Sequence, residues 1–93
     1  MTKNYALITG STAGIGLDIA RELASRGHNI LLTARREDRL KDIAERLTLD
    51  FGVHTDYVVA DLSEPSAPGT IFSFCDSHQY AVNILVNLSL IHI

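Results

Sequence analysis

Three glycines, at positions 10, 14 and 16, separate a short apolar run from a segment whose apolar residues recur every three to four positions. The run Tyr5-Ala6-Leu7-Ile8-Thr9 is long enough for a buried strand and too short for a helix. From Ile15 the period changes. Ile15, Ile19, Ala20, Leu23 and Ala24 share one helical face, opposite Asp18, Arg21, Glu22 and Arg26. A sharp strand-to-helix turn needs residues that tolerate positive φ and let a ligand approach the backbone, and glycine does both. The helix start adds unpaired N–H groups and the positive end of a dipole, which favour an anion such as a pyrophosphate. Ser11 and Thr12 place hydroxyls in the same turn. No Gly-Lys-Ser or Gly-Lys-Thr follows, so the turn is not a P-loop.

The same alternation of elements continues along the chain. Gly27 is expected to end the first helix. Asn29 to Ala34 reads as a second buried strand. A second helix carries Leu40, Ile43, Ala44, Leu47 and Phe51 on one face and stops at Gly52. Val53 to Ala60 is a third strand, Asp61 to Gly69 a loop, and a weaker helix runs from about Pro68 to Tyr80. Asn83 to Asn87 is a fourth strand. The order βαβαβαβ predicts an α/β fold with parallel strands, right-handed crossovers and helices on both faces of the sheet.

Composition narrows the function classes. With 46% hydrophobic and 20% charged residues in 93, the chain has enough apolar surface to form one packed domain. No apolar stretch approaches the roughly 20 residues of a membrane helix, and no signal peptide is expected at Met1. The lone Cys75 cannot form an internal disulfide, which fits a reducing, cytoplasmic setting. It reads as a small buried hydrophobe, beside Phe72, Phe74 and Tyr80. All eight Lys and Arg lie in residues 1–46, whereas residues 47–93 hold five acids and no Lys or Arg. The net charge of −3 argues against nucleic acid as a partner, and the basic half is where an anionic ligand would sit.

The segment Thr9-Gly10-Ser11-Thr12-Ala13-Gly14-Ile15-Gly16 resembles the Thr-Gly-x-x-x-Gly-Ile-Gly signature of the short-chain dehydrogenase/reductase family. The resemblance extends from about Tyr5 to Asn87. It implies the N-terminal portion of a Rossmann-type doubly wound parallel sheet, with strand order 3-2-1-4. It also implies an oxidoreductase that moves hydride between a nicotinamide cofactor and a small carbonyl or alcohol. Such a carboxylate as would bind the 2′-hydroxyl of NAD is missing after the second strand, where Ala34 is followed by Arg35 and Arg36. Guanidinium groups bind phosphate through charge-assisted forks, so NADP(H) is the expected cofactor, with Arg35 at the family's basic position. Arg39 reads as part of a charged helix start.

Asp61 and Leu62 look like the family's Asp-Leu pair, whose carboxylate and following backbone N–H meet the adenine. The bland alternative for Asp61 is a loop or cap residue. Asn87 matches the first Asn of the family's Asn-Asn-Ala-Gly. The expected cofactor residues are therefore Gly10, Ser11, Thr12, Gly14, Ile15, Gly16, Arg35, Arg36, Asp61, Leu62 and Asn87.

Two features depart from the family pattern. Tyr5, Tyr57 and Tyr80 each lack a Lys four residues later, so none matches the catalytic Tyr-x-x-x-Lys. Residues 88–93, Leu-Ser-Leu-Ile-His-Ile, replace the expected Asn-Ala-Gly and also match a translation of a transposon end used in sequencing adapters. Residues 1–87 are therefore expected to form a partial cofactor-binding domain and residues 88–93 a tail foreign to it. The 93 residues alone are expected to be inactive. A non-catalytic nucleotide-binding module and a non-functional fragment are the alternatives, and the family implies a homo-oligomeric parent.

Overall fold

The computed structural model describes residues 3–10 and 14–87. Strands β1 (Lys3–Thr9), β2 (Asn29–Ala34), β3 (Thr55–Val59) and β4 (Tyr80–Asn87) alternate with helices α1 (Ile15–Ser25), α2 (Glu37–Phe51) and α3 (Ala67–His78). Every pairing is parallel, and the order across the sheet is β3-β2-β1-β4. This is the doubly wound arrangement the sequence predicts. Residues 88–93, expected to be foreign to the domain, lie outside the described residues.

Alternation along the strands divides the core in two. Ala6, Ile8, Ile30 and Leu32 face Ala20 and Ala24 of α1 and Leu40, Ala44 and Leu47 of α2. Tyr5, Leu7, Leu31 and Val58 face Ala67, Ile71 and Cys75 of α3. Right-handed crossovers require this split, because the chain steps outward from β1 to β3 and then returns past β1 to β4. With helices on both faces, the centres of β1 (Tyr5 to Ile8) and β2 (Ile30 to Leu32) are apolar without interruption. On α1 the residues buried against the sheet are Gly16, Ala20 and Ala24, one turn apart. Their small size lets the helix lie close to the strands.

The helix ends follow the glycines. Gly27 (φ 89°) closes α1 as its N–H donates to the Ala24 carbonyl at 3.0 Å, and the His28 N–H donates to Leu23 at 3.1 Å. These are the paired bonds of a Schellman end. Gly52, also left-handed, closes α2 by donating to Thr48.

Several boundaries and packing assignments differ from the sequence expectation. β4 begins at Tyr80, three residues early, because Gln79 adopts φ 59° and turns the chain in a single step. Tyr80 is thereby a strand residue, with its ring 4.1 Å from that of Tyr5 and its hydroxyl donating to Asp56 Oδ2 at 2.7 Å. β3 is shorter than Val53–Ala60. Val53 packs in the helix-side core, and the Asn29 side chain takes the His54 N–H at 3.0 Å. α3 starts at Ala67, so the preceding loop is shorter than expected. Ile15 is 71% exposed rather than part of the apolar face of α1, and Phe72 is exposed beside the buried Cys75.

The amino ends of β1 and β4 hold a polar cluster. Tyr5 and His54 Nδ1 are hydrogen-bonded, and Tyr80 holds Asp56. Burial, then the bonds to Asp56 and Tyr5, push the Tyr80 phenol far above 10.0. Burial likewise raises Tyr5. A raised phenol means that the folded state grips its proton more tightly than the unfolded chain. Its stabilisation is therefore complete below about pH 10 and is lost as pH rises beyond that. The urea midpoint is expected to fall between about pH 9 and pH 11. Tyr80→Phe should flatten that fall, and an unchanged slope would contradict this account.

Candidate functional site

The carboxyl ends of all four strands meet at one edge of the sheet. Thr9 is in register with Thr33 on one side and Asn87 on the other, and Ala34 with Val59. Gly10, Arg35, Asp61 and Asn87 are thus brought to one edge from four different stretches of sequence. The chain leaves β2 and β4 on opposite sides of β1, which opens a crevice above β1. Ligands of open α/β sheets bind at such a switch point.

The glycine turn sits in this crevice. The Gly10 N–H donates to the Thr33 carbonyl at 3.0 Å and so extends the β1–β2 ladder by one step. Gly10 has φ 69°, and Gly14 has φ 63° with ψ −135°. Side-chain-bearing residues rarely take the latter combination, so position 14 requires glycine for its backbone alone. A Cβ built on Gly14 would meet no described residue within 4 Å, so none of them closes off the start of α1. Gly14 is also the N-cap, and no side chain of a described residue caps the helix. Uncapped N–H groups suit an anion. Ile15 is exposed at this point, whereas Gly16 is buried against the sheet, where its part is to let α1 approach. Ser11 and Thr12 lie outside the described residues.

Arg35 and Arg36 leave the end of β2. Both are exposed, and among the described residues Arg36 reaches only Asp38, at 3.9 Å. An exposed pair at that distance holds the side chain weakly. Among the described residues no hydrogen bond or ion pair holds Arg35. Its charge is felt by Asp61, across the neighbouring strand end.

Asp61 is tied locally. Its Oδ1 accepts the Ser63 N–H at 2.9 Å and the Ser63 hydroxyl at 2.7 Å, and these bonds, more than Arg35, draw its carboxyl below the ordinary value of 3.8. The loop-cap reading of Asp61 therefore describes one of its two oxygens. Leu62 is half-buried against the α3-side core. Asn87, at the end of β4, receives the Thr9 hydroxyl on Oδ1 at 2.9 Å.

The edge thus brings together Gly10, Arg35, Asp61 and Asn87, while Gly16 and Leu62 pack against the sheet and the α3-side core. Sequence reasoning passed over Thr9 and Ser63 as partners of Asn87 and Asp61. For Ser63 a signal existed, since Asp-x-Ser is the pattern of an Asx turn. For Thr9 none did, because its contact spans the length of the chain. An apolar groove of about 580 Å³ adjoins the edge, with Leu7, Leu62, Ile71, Phe72, Val82 and Leu85 among its walls.

Comparison with known proteins agrees with this geometry. The short chain dehydrogenase family model matches residues 4–89. The 7beta-hydroxysteroid dehydrogenase of Collinsella aerofaciens is 36% identical over 69 residues, which are 74% of this chain and 26% of that protein. The human protein named inactive hydroxysteroid dehydrogenase-like protein 1 is 46% identical over 59 residues, 63% of this chain and 18% of its own length. The chain therefore spans only 18–26% of the length of these relatives. In structure it resembles the L-sorbose reductase of Gluconobacter frateurii, described as complexed with NADPH and L-sorbose. The TM-score is 0.89 at 36% identity, over 99% of this chain and 35% of that one. A switch-point crevice, a glycine turn at an uncapped helix start and a family match over nearly every residue lead to one assignment: the chain belongs to the short-chain dehydrogenase/reductase family.

Proposed function

We propose that this chain is the adenosine-phosphate-binding portion of an NADP(H)-dependent oxidoreductase that interconverts a small carbonyl compound and its alcohol. One observation carries the choice of NADP(H): the end of β2 presents two exposed arginines and no acid before Glu37. A carboxylate there would repel a 2′-phosphate, while a guanidinium attracts it. When bound, the cofactor would supply or accept the hydride. The residues of this chain would bind and orient it. Gly10, Gly14 and the start of α1, with Ser11, Thr12 and Ile15, would take the pyrophosphate, and Gly16 would let α1 come near enough. Arg35 and Arg36 would take the 2′-phosphate. Asp61, Leu62 and Asn87 would line the adenosine.

A cytoplasmic location and a homo-oligomeric parent belong to the same proposal. The named NADPH complex of the L-sorbose reductase supports the cofactor assignment. A relative named as inactive supports a second reading, in which the site binds nucleotide without catalysis. Titration of the 93-residue chain with NADPH and NADH, followed by ligand-observed NMR, tests the binding claim. NADPH is expected to bind at least about tenfold more tightly, from one charge-assisted contact. Equal affinities would overturn it. Carbonyl reduction by a longer chain carrying this segment separates the enzyme from the binding module.

A further inference from the structure

The order β3-β2-β1-β4 leaves the outer side of β3 without a neighbouring strand among the described residues. On its inner side β3 bonds to β2 through alternate residues. The His54 carbonyl accepts the Ile30 N–H and the Ala60 N–H donates to the Ala34 carbonyl, each at 3.0 Å. Thr55, Tyr57 and Val59 therefore turn their main-chain groups outward. Asp56 Oδ1 takes the Tyr57 N–H at 2.8 Å, which leaves Thr55 and Val59 to offer theirs. A groove of about 490 Å³ runs between this edge and α2, lined by Lys41, Glu45, Thr48, Leu49, Thr55 and Tyr57.

Two exposed apolar side chains mark the ends of this edge. α2 begins just past Ala34, which is in register with Val59, and ends just before Thr55, so it runs antiparallel to β3. Leu49, 82% exposed, lies at the amino end with Thr55, and Val59, 40% exposed, at the carboxyl end. Rises of about 1.5 Å per helical residue and about 3.3 Å per strand residue set Glu45 level with Tyr57 and Lys41 level with Val59. Neither Lys41 nor Glu45 forms an ion pair among the described residues.

This pattern is complementary to itself. A two-fold axis at Tyr57 would lay Leu49 against the partner's Val59, and Val59 against the partner's Leu49. It would set the Glu45 carboxylates of both copies beside the axis, with a Lys41 ammonium on either side. We propose that the β3 edge joins a second copy of this chain, β3 pairing antiparallel with the partner's β3 and α2 lying antiparallel to the partner's α2. Thr55 and the partner's Val59 would exchange main-chain bonds at each end of the pair. An open strand edge invites such pairing, and on the side facing α2 the residues of β3 carry no charge to oppose it. The inference needs no part of the cofactor reading.

Sedimentation equilibrium of the 93-residue chain, from micromolar to millimolar concentration, tests this. A monomer–dimer equilibrium is expected. Leu49→Lys and Val59→Lys each enter the contact twice and should raise the dissociation constant about a hundredfold. Lys41→Glu leaves only carboxylates around the axis and should also dissociate the dimer. Combining Lys41→Glu with Glu45→Lys should restore it. All of these positions are exposed, so circular dichroism should show the fold kept. A monomer at every concentration overturns the proposal. So does a dimer that survives Leu49→Lys and Val59→Lys, or one that the double charge exchange fails to restore. A dimer dissolved instead by Leu85→Lys, on the exposed face of β4, overturns it by placing the contact at the other edge of the sheet.

Discussion

Arg35→Asp is expected to weaken NADPH binding about a hundredfold and to change NADH binding by less than about threefold. Two effects act in the same direction. The guanidinium that would pair with the 2′-phosphate is lost, and a carboxylate that repels it takes its place. The new carboxylate can also accept from the free 2′-hydroxyl of NADH, which offsets what that ligand loses. Arg35 makes no bond within the described protein, so its removal should leave stability nearly unchanged. Calorimetric titration of both cofactors provides the measurement. Equal losses for the two would sink the assignment of Arg35 to the phosphate.

Leu32→Ala is expected to cost about 2–5 kcal/mol of stability. Leu32 is fully buried in β2, beside Ile8 and Tyr57 in register, and belongs to the core beneath α1 and α2. Its loss would open a cavity that two helices and three strands cannot all relax to fill. A domain of this size has about 5–15 kcal/mol in hand at most. One truncation therefore removes a large fraction of it, and the chain should melt at or near room temperature. Urea denaturation followed by circular dichroism would read this directly. A midpoint within error of the parent would mean that the central strand is less tightly enclosed than its burial indicates.

The regular part of the fold could be read from sequence because its signals are local. Gly27 and Gly52 mark helix ends by backbone conformation, and the apolar runs of β1 and β2 announce strands covered on both faces. The strand order followed from crossover handedness and family resemblance. What sequence did not supply depends on contacts between distant residues. Tyr80 looked helical until its stacking on Tyr5 and its bond to Asp56 placed it in β4. Ile15 has the spacing of a core residue but lies at the mouth of the glycine turn, where the sheet does not reach. At the candidate site, residue types alone pointed to Gly10, Gly14, Arg35 and Asp61. The tether by Ser63 and the clasp of Thr9 on Asn87 emerged only with side chains in place.

The pairing of β1 with β4 sets the order in which the molecule can assemble. Lys3 meets Tyr80 and Thr9 meets Asn87, so this closure joins the two ends of the described chain. The β1–β2 and β2–β3 pairs each enclose only one helix and can form early, along with the core they share with α1 and α2. Closing a longer loop adds only about 0.6 kcal/mol per doubling, yet non-local pairings of this kind slow folding. The glycine turn and the arginine edge depend on the pairs that each enclose one helix, whereas Asn87 joins them only through this long-range closure. A dinucleotide that touched both parts would favour the completed sheet by mass action. Cofactor concentration would then govern how much of the chain is fully folded as well as how much is occupied.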